Sequence, residues 1–289
     1  MLSIIVCFRD IRALEELSAN AGQTVGIPYE IVPVDNTLGK YGICEAYNSG
    51  ARKSRFDLLC FVHEDVTFNT IDWGKKVEEI FADSSIGLLG VAGSCHKPAN
   101  VSTWWDTEEK NHRVHIVQPQ DQRLTKVVVN PDHELLSEVA VLDGVFLVTK
   151  KHVWQQFKFD EDNLKGFHFY DVDFSTAVMT KYKVMVTYEV LLTHRSAGSP
   201  NTNAWLENAL IYHKKWKKQL PVFVTKTNTQ EKFLAERAAS FNIVLRSRKI
   251  GYSIIAIAKY TVRYVRFPYK IMFFIAFVYL LVKERLYGR

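Results

Sequence analysis

Leu58-Leu59-Cys60-Phe61-Val62-His63-Glu64-Asp65-Val66 decides the fold. Five apolar residues lead straight into a histidine and two adjacent carboxylates. A continuous apolar run of this length marks a strand covered on both faces, as in parallel sheets flanked by helices. Such sheets bind ligands just beyond the carboxyl ends of their strands, where His63, Glu64 and Asp65 stand. Oxygen ligands there could hold a hard divalent cation, and the cation a diphosphate. A solvated loop, or a cap on the next helix, explains the same acidic residues.

Outward from this strand the pattern alternates. Ser3 to Phe8 reads as a first strand, and Ile11, Leu14 and Leu17 have helical spacing up to Gly22. Tyr29 to Val34 reads as a second strand closed by Asp35-Asn36, followed by a loop and a helix around Cys44 to Ser54. Beyond Val62, a helix over Asp72 to Ala82 has Asp72 as its cap, and Ile86 to Ala92 is a fourth strand. This alternation predicts an α/β class with a parallel, doubly wound sheet. Right-handed crossovers then bring Phe8-Arg9-Asp10, Asp35-Asn36 and His63-Glu64-Asp65 to one crevice.

From Ser94 to Val127 no period emerges, and the segment reads as a polar loop insertion carrying His96, Trp104-Trp105, His112 and His115. Long loops on a rigid scaffold often carry function; paired tryptophans also serve as packing anchors. Asp143-Gly144 interrupts an apolar stretch from Val139 to Val148, either because the backbone passes close to something or because it makes a hairpin turn. Helices are expected over Lys150 to Phe157 and Val172 to Lys181, and a last strand over Val184 to Leu192 ends at Thr193-His194-Arg195.

The 289 residues, 47% hydrophobic and 24% charged, suffice for a large α/β domain with an appendage. The four cysteines, Cys7, Cys44, Cys60 and Cys95, show neither metal-type spacing nor a disulfide framework, and the first residues read as a strand rather than a signal peptide. A reducing, cytoplasmic setting is expected. The net charge of +6 divides unevenly: from Leu210 onward 17 Lys and Arg face 3 Asp and Glu, against 20 and 28 before it. A basic tail on a mildly acidic body points to a polyanionic partner.

Several residues could carry chemistry. Asp35 could accept hydrogen bonds from a base or ribose, or make an Asx turn. Asp171 and Asp173 lie among the aromatics of Phe167-His168-Phe169-Tyr170 at a helix start, where desolvation would raise a carboxylate's pKa and improve it as a proton acceptor; a helix N-cap is the other reading of Asp171. Taken in order, Ser3-Ile4-Ile5-Val6, Val34-Asp35-Asn36, Ala46-Tyr47-Asn48-Ser49-Gly50, Val62-His63-Glu64-Asp65, Leu142-Asp143-Gly144-Val145, Phe159-Asp160-Glu161, Tyr170-Asp171-Val172-Asp173 and Leu192-Thr193-His194 carry a resemblance. The sequence resembles the family 2 glycosyltransferases of GT-A fold over about residues 1 to 200, and most of all the subgroup with His-x-Asp in place of Asp-x-Asp.

The resemblance implies a GT-A-type nucleotide-binding sheet flanked by helices over residues 1–220. It implies an inverting, metal-dependent transferase moving a sugar from a nucleotide-sugar, UDP- or dTDP-linked, to a lipid-linked or cell-surface glycan. Asp171 would be the general base; Asp65 and His194 would bind Mn²⁺ or Mg²⁺; Phe8, Arg9, Asp35, Asn48 and Glu64 would contact the nucleotide; Asp143, Gly144, Trp105 and Asp173 would line the donor and acceptor sites. Two positions depart from the family pattern: His63 replaces the first acidic residue of Asp-x-Asp, and Tyr170 stands where a glutamate usually precedes the base. A non-catalytic nucleotide-sugar or glycan binder of the same fold is a competing reading. A sugar nucleotidyltransferase is another, although Cys7-Phe8-Arg9-Asp10-Ile11 lacks the Gly-rich loop such enzymes need.

After Pro221 the chain changes character. Lys259, Arg263, Arg266 and Lys270 recur at helical spacing among Tyr260, Val262, Tyr264, Val265 and Phe267. Ile271 to Val282 is uncharged but too short for a spanning helix, which needs about 20 apolar residues. Residues 221–289 therefore read as a basic amphipathic helical extension in which residues 225–289 lie on an anionic membrane surface, on the inner face of the cell membrane. Packing on the catalytic domain or a second subunit is the alternative. No nucleic-acid partner is expected, because no recognised module accompanies the basic residues.

Overall fold

The computed structural model describes residues 1–120, 123–196 and 202–287; residues 288 and 289 of the expected tail lie outside them. The chain opens with β1 (Leu2–Phe8), α1 (Ile11–Thr24), β2 (Tyr29–Asp35), α2 (Ile43–Lys53) and β3 (Leu58–His63). β4 (Val66–Phe68), α3 (Trp73–Ile80), β5 (Ile86–Gly90), β6 (Ala92–Ser94) and β7 (His96–Lys97) follow. Next come β8 (His112–Gln120), β9 (Arg123–Val129), β10 (Leu136–Glu138), β11 (Val141–Leu142) and β12 (Phe146–Lys150). Then α4 (Lys151–Phe157), α5 (Tyr170–Met179), β13 (Lys183–Thr187), β14 (Leu192–His194), α6 (Asn203–Trp216) and β15 (Val222–Phe223) lead to α7 (Thr229–Lys249), α8 (Ile254–Tyr264) and α9 (Lys270–Tyr287).

Among the described residues the main sheet has the order β10-β13-β5-β12-β3-β1-β2. β3 is covered on both faces, as its composition requires. Leu59 and Phe61 face one core with α2 and α5, while Leu58, Cys60 and Val62 face another with α1 and α3. Period-two alternation is thus present inside a run that reads as uniformly apolar. The sheet is mixed rather than wholly parallel, which corrects the expected doubly wound topology. β1, β2 and β3 are parallel, but β12 runs antiparallel between β3 and β5, and β10 runs antiparallel on the edge. β12 starts where β3 ends, with His63 N donating to Val145 O at 3.2 Å. A strand entering at that edge can only run back down the sheet.

The insertion is ordered too. β8 and β9 form a long antiparallel pair, and β8 joins β11, β6, β14 and β4 in a second sheet. β9 is largely exposed, so it needs no apolar face and carries no burial period. The predicted last strand is two, β13 and β14, with β14 leaving the main sheet to pair with β4. Asp72 begins α3 in a left-handed conformation, φ 59°, and its carboxylate pairs with Lys75 at 3.1 Å instead of capping the helix.

The tail continues the body. Ile243, Val244, Ile257, Val265, Phe273 and Leu280 join the core cluster that contains Phe61 and Phe174. Arg246 of α7 makes a two-pronged ion pair with buried Asp106, at 2.8 and 3.2 Å. Glu236 of α7 is fully buried and accepts from Ala99 N at 2.7 Å, Asn100 N at 3.0 Å and Asn100 Nδ2 at 2.8 Å. A buried donor deprived of its acceptor costs about 1–3 kcal/mol. Glu236→Ala should therefore lower unfolding stability by about 3 kcal/mol in urea denaturation, whereas Glu236→Gln, which keeps an acceptor oxygen, should lose less.

Candidate active site

Three adjacent strands present their carboxyl ends together. Cys7 of β1 pairs with His63 of β3, and Phe8 pairs with Asp35 of β2, so His63 and Asp35 stand two strand spacings, about 10 Å, apart. Phe8 is buried, and the Arg9 guanidinium lies over the Phe167 ring, 4.7 Å from its centroid. Asp35 is exposed and accepts from Thr37 N at 2.9 Å and Thr37 Oγ1 at 2.8 Å, an Asx turn that holds its carboxyl below the usual range. Asn36, fully buried, fixes the following loop through Tyr41.

A second cluster forms where β3 turns into β4. β14 pairs antiparallel with β4, placing His194 opposite Val66, and Arg195 N donates to Asp65 O at 3.2 Å. His194 Nε2 lies 3.4 Å from Asp65 Oδ1 and 3.3 Å from His63 Nδ1. One ligand atom each from His63, Asp65 and His194 falls within 4.8 Å of the others, a donor set suited to a divalent transition-metal ion. Tyr170 determines how His63 faces that centre. Its hydroxyl lies 3.1 Å from Gly144 O, which only accepts, and 2.7 Å from His63 Nε2. The hydroxyl hydrogen therefore goes to Gly144, the hydroxyl oxygen accepts from His63 Nε2–H, and the Nδ1 lone pair is left facing His194 and Asp65. Burial, followed by the neighbouring His194, pushes the His63 pKa down and favours the neutral ring.

The third part is a cleft of about 450 Å³. Its lining includes His63, His194, Asp143, Gly144, Asp171 and Trp105. Asp171 sits in the first turn of α5, entered through Phe169 at φ 66°. A buried phenylalanine in the left-handed region is strained, and it is held there by ring contacts with Trp205 and Tyr212. Burial, then the charge of Asp143, pushes the Asp171 carboxyl up to about 7. Asp143 is oriented by Trp104 Nε1 at 3.0 Å and Val145 N at 2.9 Å. Gly144 is required at its position, because a Cβ there would lie 2.0 Å from the Tyr170 hydroxyl. The Asp-Gly step is thus a close backbone approach and not a hairpin, since β11 and β12 belong to different sheets.

Other expected site residues serve the scaffold. Asn48 is buried, its amide donating to Phe159 O and Glu161 Oε2 and its carbonyl accepting from Trp154 Nε1 and Phe159 N; nothing of it is left for a nucleotide. Asp173 is buried against Lys215 Nζ at 2.8 Å and Trp216 Nε1 at 2.7 Å, so it braces α5 against α6 and does not face donor or acceptor. Glu64 accepts from Arg9 N at 2.7 Å and Asp10 N at 3.0 Å, tying the β1 loop to β3 instead of standing open to a ligand. Missing from the sequence reading are His63 as a third ligand, Tyr170 as its orienting partner, and Arg246 and Trp205 in the cleft wall. Only His63, two residues before Asp65 at a strand end, carried a local signal.

A mixed sheet with this strand order, and with its polar cluster at the carboxyl edge, is similar to the GT-A glycosyltransferases. Residues 3–227 match a glycosyltransferase-like family, and the chain belongs to that family. Among solved structures it is similar to GalNAc-T7 with UDP, GalNAc and Mn²⁺, with TM-score 0.53 and 11% identity over 75% of this chain and 49% of that one; the chain thus spans about half of that protein's length. It is also similar to the mannosyltransferase PcManGT from Pyrobaculum calidifontis in complex with GDP-Man and Mn²⁺ (TM-score 0.52, 13% identity, covering 100% and 87%). A third is S. aureus TarS 1-349 in complex with UDP (TM-score 0.50, 13% identity, covering 90% and 78%). At these identities the likeness is one of fold. No curated protein sequence matches the chain.

The cluster makes a direct prediction. Mn²⁺ titrated calorimetrically into the protein should bind, and His63→Ala and His194→Ala should each abolish the heat. Tyr170→Phe, which leaves all three ligands in place but frees the His63 ring, should weaken binding about 10- to 100-fold; unchanged affinity in all three variants would remove the site.

Proposed function

We propose that this protein is an inverting, metal-dependent glycosyltransferase that moves a sugar from a nucleoside-diphosphate sugar to a hydroxyl of a glycan, with Asp171 as general base. One observation carries this reading. Asp171, with its carboxyl raised to about 7, opens into the same cleft as His63 and His194 of the His-Asp-His cluster. Base and leaving-group site therefore share one cavity. Nucleotide-sugar and Mn²⁺ in the complexes of PcManGT, and UDP with Mn²⁺ in those of GalNAc-T7, support the donor class and the cation.

The residues divide the work by charge. His63, Asp65 and His194 would hold the cation, which supplies Lewis-acid stabilisation, several kcal/mol, to the negative charge on the departing diphosphate. On the nucleotide side, Arg9 at the end of β1, its guanidinium over the Phe167 ring of the cleft wall, would flank the donor, and Asp35 would offer a carboxylate to the nucleoside at the end of β2. At the acceptor end, the exposed Trp105 ring suits the apolar face of a sugar ring. In the reaction the acceptor hydroxyl gives its proton to an Asp171 oxygen as its own oxygen bonds to the anomeric carbon. The bond from that carbon to the diphosphate oxygen breaks on the opposite side, and the diphosphate leaves with the electron pair. A single in-line displacement inverts the anomeric centre.

Desolvation explains the tuning. A carboxylate with pKa near 7 is a stronger base than one near 4 and still half ionised at neutral pH. The acid form is inactive as a base, so transfer should rise with pH through about 7 and level off above it. Asp143→Asn removes the neighbouring charge that raises the Asp171 pKa; the rising limb should then move to lower pH. Asp171→Asn should lower transfer by roughly 10²- to 10⁴-fold while UDP binding, measured by calorimetry, stays within twofold. Near-normal turnover of Asp171→Asn would refute the assignment of the base.

A further inference from the structure

We infer that α9, with α8 beside it, docks on an anionic lipid surface and so holds the acceptor cleft against that surface. It rests on the transferase reading only for what the cleft receives. The observation is a helix apolar on both sides and covered on one. Phe273, Ala276 and Leu280, at spacings of 3 and 4, are buried against the body. The opposite stripe, Ile271, Ile275, Val278, Tyr279 and Val282, recurs at helical intervals and is exposed, Val278 at 56%. A surface helix of a globular protein carries polar residues on its outer face, and one that is apolar all round is normally buried. Over this stretch the outer face of α9 therefore lacks its cover.

Charge decides what the cover is. Lys270 and Lys283 bracket the stripe, while α8 exposes Ile255 and Val262 on the same face as Lys259. Phe267, 74% exposed, follows α8. From Leu210 onward the chain holds 17 basic and 3 acidic residues. A second copy would bring the same charge and be repelled, whereas an anionic leaflet attracts basic side chains while their apolar neighbours sink into it. No helix among the described residues is long and apolar enough to cross a membrane, so the helix lies on the surface.

The docked helix and the cleft meet at α7. Arg246 of α7 lines the cleft, and Phe241, five residues earlier and about 7.5 Å along the helix axis, packs on Tyr279 with ring centroids 5.4 Å apart. One helix thus both walls the cleft and seats α9, which suits an acceptor carried on a lipid.

The full chain should co-sediment with vesicles of phosphatidylcholine and phosphatidylglycerol (3:1) at least tenfold more tightly than with phosphatidylcholine alone, and 0.5 M NaCl should weaken the difference. Ile275→Asp with Val278→Asp should reduce vesicle binding at least tenfold, with UDP and Mn²⁺ affinities within twofold of the parent. Should that variant fail to fold, Lys259→Glu with Arg263→Glu, both on exposed positions, should cause a similar loss. Equal binding to both vesicle types, unchanged binding by the Asp variant, or a dimer in solution that Ile275→Asp and Val278→Asp dissociate would overturn the inference. Failure of the parent to bind UDP and Mn²⁺ would instead strike the transferase reading and leave the docking standing.

Discussion

One hydroxyl links the parts of this site. Tyr170, at the start of α5, donates to Gly144 O at the entry to β12 and accepts from His63 Nε2 at the end of β3. Three segments of chain are joined at one oxygen, and each supplies a different element of the chemistry. His63 is aimed at Asp65 and His194, Gly144 sets the path of Asp143, and Tyr170 itself fixes the helix start that carries Asp171. The close fit leaves no room for a Cβ on Gly144. It also explains why a tyrosine can stand where a carboxylate is expected: a histidine in the ligand set needs an acceptor on its far nitrogen, and a phenol provides one without adding charge.

The electrostatics of the cleft follow from separation. With His63 favoured in its neutral form and a single carboxylate, the candidate cation site carries a modest charge. Asp143 and Asp171 are set side by side, and burial, followed by the charge of Asp143, disfavours the ionised form of Asp171. Asp173, three residues after Tyr170, is neutralised by Lys215 and takes no part in that balance. Two aspartates two residues apart on one helix therefore meet opposite surroundings, one opening into the cleft with its carboxyl raised and one paired so that it braces α5 against α6.

The tail belongs to the same design. Glu236 and Arg246 bind α7 to the loop carrying Asn100 and Asp106, and that loop leads into the Trp104-Trp105 wall of the cleft. α7 thus closes one end of the cleft and also carries α9. Basic composition and apolar content were legible in the sequence, but which side of α9 meets protein was not. Its residues are apolar on every side, and only the position of α7 selects the buried stripe.

What the amino-acid order alone determined is whatever depends on neighbours in the chain. The strand–helix alternation through Ala92, the convergence of Phe8, Asp35 and His63 at one sheet edge, and the desolvated carboxylate in Phe169-Tyr170-Asp171 all follow from local pattern and right-handed crossover. Tertiary structure decided what depends on pairing across long separations. β12 runs antiparallel because it enters at the end of β3. His194 reaches His63 from 131 positions away, through the pairing of β14 with β4. Asn48 and Asp173 look like site residues by type, but packing turned them inward and used up their hydrogen bonds. Sequence spacing encodes which face a side chain takes within its own element; which partner that face meets is set by the register of elements far apart in the chain.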